Sequence, residues 1–399
     1  MQLSLQTQSF IREHQRDDVR TLALQAAKYP DVDMPVAITQ IAGHQMATEK
    51  IPSWSAIEGV WYPKHISLEQ CSSEITARYK ATLVEGDSLT DLTGGFGIDC
   101  SFLATRFRRV TYVERQEELC EIAAHNFPLF HQPHIAVCHA DGVEFLHAMP
   151  PVSCIFLDPA RRNEQGGKTV AIADCEPDVA RLEDVLLEKA QQVLVKLSPM
   201  LDLSLALKEL RYAKEAHVLS VNNECKELLL LLDSRSPVEE IPIHCVNLSA
   251  KGNRADQHFV FTREEEMNSA CDYTHTVGTY LYEPNASLLK AGAFRSLAAA
   301  FSLKKLHPNS HLYTSDTWMD AFPGRAFRVI GQCGFGKKEM KEQLGSLKKA
   351  NLAVRNFPAS VAELRKRLKL ADGGDNYLFA TTLNNQQKVL ICTVKAAEL

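Results

Sequence analysis

The stretch from Asp87 to Asn126, DSLTDLTGGFGIDCSFLATRFRRVTYVERQEELCEIAAHN, constrains the possible folds more than any other part of the chain. Strand character over Ser88 to Leu92 runs into Thr93-Gly94-Gly95-Phe96-Gly97, a turn tight enough to require small residues. Apolar residues at Ile98, Phe102, Leu103 and Phe107 recur at helical spacing and predict a helix over 98–107. Val110-Thr111-Tyr112-Val113 is β-branched and aromatic, a second strand that ends at Glu114. Strand, glycine turn, helix, strand and acid make half of a doubly wound nucleotide-binding sheet. Its ligand belongs at the carboxyl ends of the strands.

The turn is not the dinucleotide fingerprint. GxGxxG requires a glycine at position 100, where the chain has Cys100. Asp91 stands two residues ahead of the turn instead. A carboxylate there suits a ligand with positive charge near its sugar, not a pyrophosphate. S-adenosylmethionine is such a ligand, with an ammonium, a sulfonium, a ribose and an adenine. Glu114 is placed to accept two hydrogen bonds from ribose hydroxyls. Ala140-Asp141-Gly142 follows the apolar run 135–138 and offers a carboxylate to the adenine amine. A fourth strand, Ser153 to Leu157, leads into Asp158-Pro159-Ala160-Arg161-Arg162.

Taken in order from about Glu69 to Leu248, these segments resemble the class I S-adenosylmethionine-dependent methyltransferases. DLTGGFGID is similar to their first motif, YVE to the second, ADG to the third and LDPAR to the fourth. The resemblance implies an α/β, Rossmann-like fold with a seven-stranded sheet and S-adenosyl-L-methionine as cofactor. It implies a cofactor site of Asp91, Thr93, Gly94, Gly95, Phe96, Gly97, Ile98, Asp99, Glu114, Arg115, Asp141, Gly142 and Asp158. Ser72 and Ser73, at a helix N-terminus before the first strand, are placed to cover the methionine end. Asp158-Pro159-Ala160-Arg161 is similar to the [DNS]PP[YFW] loop of amino-group methyltransferases. There the acid and the following carbonyl hold an exocyclic amine, and the aromatic stacks on a flipped base. Ala160 replaces the second proline and Arg161 the aromatic; an arginine plane can stack on a base or hold a phosphate. Asp158, Pro159 and Arg161 are thus the catalytic candidates. Arg161, Arg162, Lys196, Ser198 and Pro199 are the substrate-site candidates.

The expected domains are a helical region over 1–80, the cofactor-binding domain over 81–270, a small α+β (ferredoxin-like) region over 271–335 and a last domain over 336–399. Within the second, strands are predicted over 192–197, 217–221, 244–248 and 258–261, and helices over 179–191 and 203–212. Leu228 to Leu232 is apolar throughout and open between strand and helix. Later, a helix is predicted over 286–301 and a Ser360-capped helix to Leu368. The order RNFPAS, ELRKRLKL, DGG, YLFAT over 351–382 resembles the THUMP-like carboxy-terminal domain attached to a group of bacterial methyltransferases. That resemblance implies RNA, rRNA or tRNA, as partner. Arg325, Arg328, Lys337, Lys338, Lys341, Lys348, Lys349, Arg355, Arg365, Lys366, Arg367 and Lys369 face only Glu339, Glu342 and Glu363, a local excess suited to a polyanion.

Composition narrows the rest. A net charge of -5 over 399 residues means that any nucleic-acid surface is local. The 11 cysteines form no CxxC pair, so they read as reduced thiols. The 14 histidines form no HExxH pattern, so the motifs propose no metal. Gly166-Gly167-Lys168-Thr169 lacks the first glycine of a phosphate loop, Arg162 standing in its place, which excludes a nucleotide triphosphatase of that class. The start carries no apolar segment of signal-peptide length and no run is long enough to span a membrane, so a cytoplasmic location without membrane is expected. The expected function is methylation of an RNA base. The alternatives are a protein or small-molecule methyltransferase, and a catalytically silent RNA-binding protein that keeps the cofactor fold.

Overall fold

Alternating β-branched runs and amphipathic helices fold into two large sheets, with a small two-stranded one formed by Ala160–Arg161 and Cys175–Glu176. The structure is a computed structural model that describes residues 3–161, 171–233, 239–250, 252, 255–345 and 347–396. The first sheet contains β1 (Gly86–Asp91), β2 (Phe107–Glu114), β3 (Ile135–His139), β4 (Val152–Leu157), β5 (Ala190–Leu197), β6 (Ala213–Val221), β7 (Glu224–Leu232), β8 (Ile243–Leu248) and β9 (Gln257–Phe261). Their order is β9-β8-β6-β7-β5-β4-β1-β2-β3. Strands β3, β2, β1, β4 and β5 are mutually parallel, as are β6 and β8. β7 runs antiparallel to β5, and β9 to β8. The sheet therefore has nine strands where the resemblance implies seven. The run Leu228–Leu232 is strand, zipped to 193–197, and 257–261 adds an outer antiparallel strand. Leu89, Ile155, Phe156, Val193, Leu194 and Val195 are all buried. Strands covered on both faces carry continuous apolar runs of this kind.

Several helices are shorter than their periodicity predicts. The helix begun at Ile98 ends at Ala104, because Phe107 opens β2 and pairs with Gly86. The helix from Val179 stops at Lys189, since Ala190 belongs to β5. The one from Leu203 stops at Glu209. Over 286–301 there are two helices, Ala286–Ala291 and Arg295–Ala300. Gly292, at φ +81, takes the left-handed cap that ends the first.

The chain divides into two compact units. The first comprises 1–214 and 228–238, the second 215–227 and 239–399. In the first, helices Leu5–Glu13, Val19–Leu24, Met34–Lys50, His65–Gln70 and Glu74–Ala81 precede β1. Met34–Lys50 begins with Asp33 accepting from the Val36 N–H and Pro35 in its first turn, a strong start signal. Trp54, Tyr62, Leu68 and Ala77 share a core with Phe96, Ile98, Phe102 and Ile122. The helical region is thus packed onto the glycine turn and the helix that follows it, each large side chain contributing about 1.5–3 kcal/mol by burial.

The second unit holds the other sheet: β10 (Tyr280–Pro284), β11 (Lys304–Lys305), β12 (Tyr313–Ser315), β13 (Gly324–Gly334), β14 (Asn351–Arg355), β15 (Asn376–Thr382) and β16 (Lys388–Lys395), ordered β11-β12-β10-β13-β16-β15-β14. β14 and β15 are parallel, joined by helix Val361–Leu368, whose Ser360 and Glu363 form a capping box. Leu364, Leu378, Leu390, Met340 and Leu344 bury together beneath that helix and its neighbour Lys337–Leu344. Among the described residues no helix is long and apolar enough to cross a membrane.

Candidate active site

Asp91 ends β1 in register with Phe156 of β4, so the loops after both strands leave the same edge of the sheet. Asp91 is buried, and its Oδ1 accepts from the Thr93 N–H at 3.0 Å. The turn then folds back with φ +56 at Gly95 and +86 at Gly97. A Cβ on Gly94 would stand 2.3 Å from the Tyr112 ring. The Tyr112 hydroxyl donates to the Gly95 carbonyl at 2.5 Å. Glu114, at the end of β2, accepts from the Gly95 N–H on Oε2 and from the Gln116 N–H on Oε1, both at 2.8 Å. Two backbone donors therefore fix this carboxylate while leaving lone pairs for two hydroxyl donors. At the end of β3, Asp141 caps helix Gly142–Ala148 by accepting from the N–H groups of Val143 and Glu144. A Cβ on Gly142 would stand 2.2 Å from the Leu92 carbonyl, so only glycine lets this loop approach the end of β1.

Asp158 follows β4. Its N–H donates to Thr93 Oγ1 at 2.6 Å, tying the loop to the glycine turn, and its carboxylate is ion-paired with Lys196 at the end of β5. Burial, then the charges of Asp99, Asp158 and Glu114, push the Asp91 carboxyl well above its ordinary range, against the Thr93 N–H. Four carboxylates thus lie about the strand ends, Asp158 and Asp99 each matched by a lysine, Lys196 and Lys80, which leaves a net anionic field. A cation fits this field and a pyrophosphate does not.

The carboxy-terminal segments match two families along their length, a ferredoxin-like domain over 280–323 and a THUMP-domain-like family over 324–394. A crystal structure from Porphyromonas gingivalis W83, assigned to the methyltransferases, is 37% identical, with 98% of each chain covered and a TM-score of 0.87. The chain belongs to the S-adenosylmethionine-dependent methyltransferases that carry a THUMP-like domain. Uncharacterised S-adenosylmethionine-dependent methyltransferases from two strains of Mycobacterium tuberculosis, CDC 1551 / Oshkosh and H37Rv, are each 24% identical over 314 residues, 78% of this chain and 81% of theirs. S-adenosylmethionine is accordingly the cofactor. The cradle of small residues, the fixed acid at Glu114 and the anionic field at Asp91 fit it.

The other anticipated positions of the methyltransferase divide. Ser72 donates to Asp99 Oδ2 at 2.7 Å and accepts from Lys80 at 3.0 Å, and Lys80 pairs with Asp99 Oδ1 at 3.0 Å. Ser72 and Asp99 are therefore engaged in a buried network. Ser73 sits at the N-cap of Glu74–Ala81, its hydroxyl 3.3 Å from that of Thr76. Phe96 and Ile98 belong to the core, Phe96 edge-on to Trp54. Arg115 is exposed and lies 3.8 Å from Glu176. Pro159 is buried beside Asp158. Arg161 lies in a two-residue strand paired with Cys175–Glu176. Ser198 accepts from the Met200 N–H, and Pro199 is half-buried in the same turn. Arg162 and Gly166 to Thr169 lie outside the described residues.

Sequence reasoning missed three side chains. Lys80 compensates Asp99; its signal was a lysine on the buried face Thr76, Ala77, Lys80, Ala81. Tyr112 fixes the glycine turn. Lys50 donates to the carbonyls of Leu68 and Glu69 at 2.8 and 2.6 Å, and burial lowers its pKa, with Lys196 adding to the effect and Cys71 opposing it. A separate cavity of about 640 Å³, lined by Trp54, Arg78, Phe102, Arg106 and Phe130 among others, contains none of these acids.

Proposed function

We propose that the protein transfers a methyl group to a base of RNA, with Asp158 and Arg161 at the acceptor side and Asp91, Glu114 and Asp141 at the cofactor side. The observation that carries this reading is the Lys196-held Asp158 loop at the strand ends, together with a THUMP-like domain in the same chain. When bound, S-adenosylmethionine supplies an electrophilic methyl carbon on a good leaving group. The chain's own task is then to position and to exclude water. Glu114 accepts the ribose hydroxyls, and Asp91 favours the cationic methionine end by charge. Asp158, held by Lys196 and by Thr93, accepts an N–H or O–H of the nucleophile and turns its lone pair toward the methyl carbon. As the new bond to carbon forms and the carbon–sulfur bond breaks, the nucleophile's proton passes to that carboxylate or to water.

RNA as substrate is supported by the exposed basic side chains of the THUMP-like domain. Arg328, Lys337, Lys338, Lys341, Lys348, Lys349, Lys366, Arg367 and Lys369 are exposed. Arg325 and Arg355 are instead paired with the buried Glu283, and Arg365 with Asp372, so these three do not belong to the free positive surface. The test is transfer of label from tritiated cofactor into total RNA from a strain lacking the gene. RNase-sensitive, protease-resistant label is expected. Label that is protease-sensitive, or confined to small molecules, would redirect the function to a protein or metabolite.

A further inference from the structure

Neighbouring strands β6, β8 and β9 bring an unusual row of polar side chains onto one sheet face. His217 of β6 is in register with His244 of β8, and Glu215 lies two residues before His217, on the same face. On β9 the register partner of His244 is Val260, which places His258 one diagonal step away. The rings of His217 and His244 stack with centroids 4.4 Å apart, and those of His244 and His258 at 5.5 Å. Glu215 Oε2 lies 3.4 Å from His244 Nε2 and 3.8 Å from His217 Nε2. One ligand atom from each of Glu215, His217 and His244 falls within 4.8 Å of the other two. None of these residues is among those of the candidate active site.

We propose that Glu215, His217 and His244 bind a divalent transition-metal ion of the zinc class, with His258 as the partner that orients His244. Two imidazoles and one carboxylate are a ligand set for zinc, nickel or copper rather than for magnesium or calcium. His244 Nδ1 lies 3.3 Å from His258 Nε2. A proton on Nδ1, donated to His258, leaves the Nε2 lone pair turned to Glu215 and the ion. Metal-bound histidines commonly make this outer hydrogen bond through their second nitrogen. The ring planes of His217 and His244 lie 14° apart, and binding one ion tilts them toward each other, which the broad χ2 well of histidine permits. The fourth position of a tetrahedral site falls to water. The site escapes motif reading because its ligands are adjacent only through the ladder that joins β6 to β8.

The test uses the full chain, stripped with chelator and dialysed, and titrated with zinc chloride by calorimetry and cobalt chloride by absorption. One equivalent of zinc should bind, with a tetrahedral cobalt spectrum free of thiolate charge transfer. His244→Gln should weaken zinc by roughly ten-fold or more, and His258→Gln by roughly ten-fold or more because the His244 ring is then no longer oriented. His275→Gln, at an exposed position, should bind as the parent does. Zinc should raise the melting temperature of the parent and of His275→Gln more than that of His244→Gln. Absence of stoichiometric zinc binding, a thiolate band, or equal affinity in parent, His244→Gln and His258→Gln would overturn the site. If His244→Gln fails to fold, comparison of parent with His258→Gln decides.

Discussion

Lys196 and Asp158 meet across neighbouring parallel strands. Leu157 of β4 is in register with Val195 of β5, so the next residue of each strand brings the carboxylate and the ammonium together. The pair is partly buried, Lys196 at 12% and Asp158 at 35% side-chain exposure. Lys196→Met should release Asp158 from its fixed position. Turnover should then fall by about 100-fold, the scale of a misplacement of about 1 Å, while cofactor affinity stays within a few-fold. Asp158→Ala should abolish turnover with the same spared affinity. Single-turnover rates and calorimetry separate the two effects. A Lys196→Met protein with unchanged turnover would remove the pair from the mechanism.

Glu114 holds the turn and, in the proposed function, the ligand as well. Glu114→Ala removes the acceptor of two backbone N–H groups and the proposed acceptor of the ribose hydroxyls. Charge-assisted hydrogen bonds contribute about 1.5–3 kcal/mol each, so affinity for S-adenosylmethionine should drop roughly ten-fold or more. Calorimetry on the folded variant checks it, and unchanged affinity would reject the assignment.

With Asp91 in the proposed cofactor site, binding should depend on pH. Burial first, then Asp99, Asp158 and Glu114, raise its pKa above the ordinary 3.8. Between that value and the raised one, the folded ligand-free protein holds a proton that the unfolded chain has released. Its contribution to stability is therefore fully present below 3.8 and is lost as pH rises through the raised value. A cationic ligand favours the ionised carboxylate, so binding should release protons, and affinity should weaken as pH falls below the raised value. Calorimetry in buffers of different ionisation heat measures that release. Asp91→Asn keeps an acceptor for the Thr93 N–H without the charge. It should melt a few degrees higher than the parent at neutral pH when ligand-free, yet bind the cofactor roughly ten-fold or more weakly.

The basic residues of the second unit should fall into two classes. Glu283 is only 2% exposed and is held by Arg325 and Arg355. Arg355→Ala removes one of its two partners and should cost about 2–3 kcal/mol, less than a fully buried pair because the guanidinium is partly solvated. Lys337→Gln and Lys341→Gln, on an exposed helix face, should leave the melting temperature unchanged. They should weaken RNA binding and flatten its salt dependence, by about 0.7 in log–log slope for each phosphate of single-stranded RNA that the variant no longer neutralises. Filter binding across a salt series distinguishes the classes.

The glycine turn, the acids at the strand ends and the capped helix to Leu368 were legible because each is a local pattern: a backbone need, a chain break, an N-cap. What escaped was set by neighbours distant in sequence. Phe107 has helical spacing but pairs with Gly86 in a ladder. Leu228 to Leu232 became strand because β5 lies alongside. The Ser72 network with Lys80 and Asp99 joins residues that no local pattern links. Arg325 and Arg355 count as free charge in the sequence until the fold brings both to Glu283.

The most direct measurement is mass spectrometry of nucleosides from the total RNA of a strain lacking the gene, complemented with the wild-type chain or with Asp158→Ala. The expected result is loss of one methylated nucleoside on deletion, its return with the wild-type chain, and its continued absence with Asp158→Ala. An identical set of methylated nucleosides in all the strains would contradict RNA methylation by this protein.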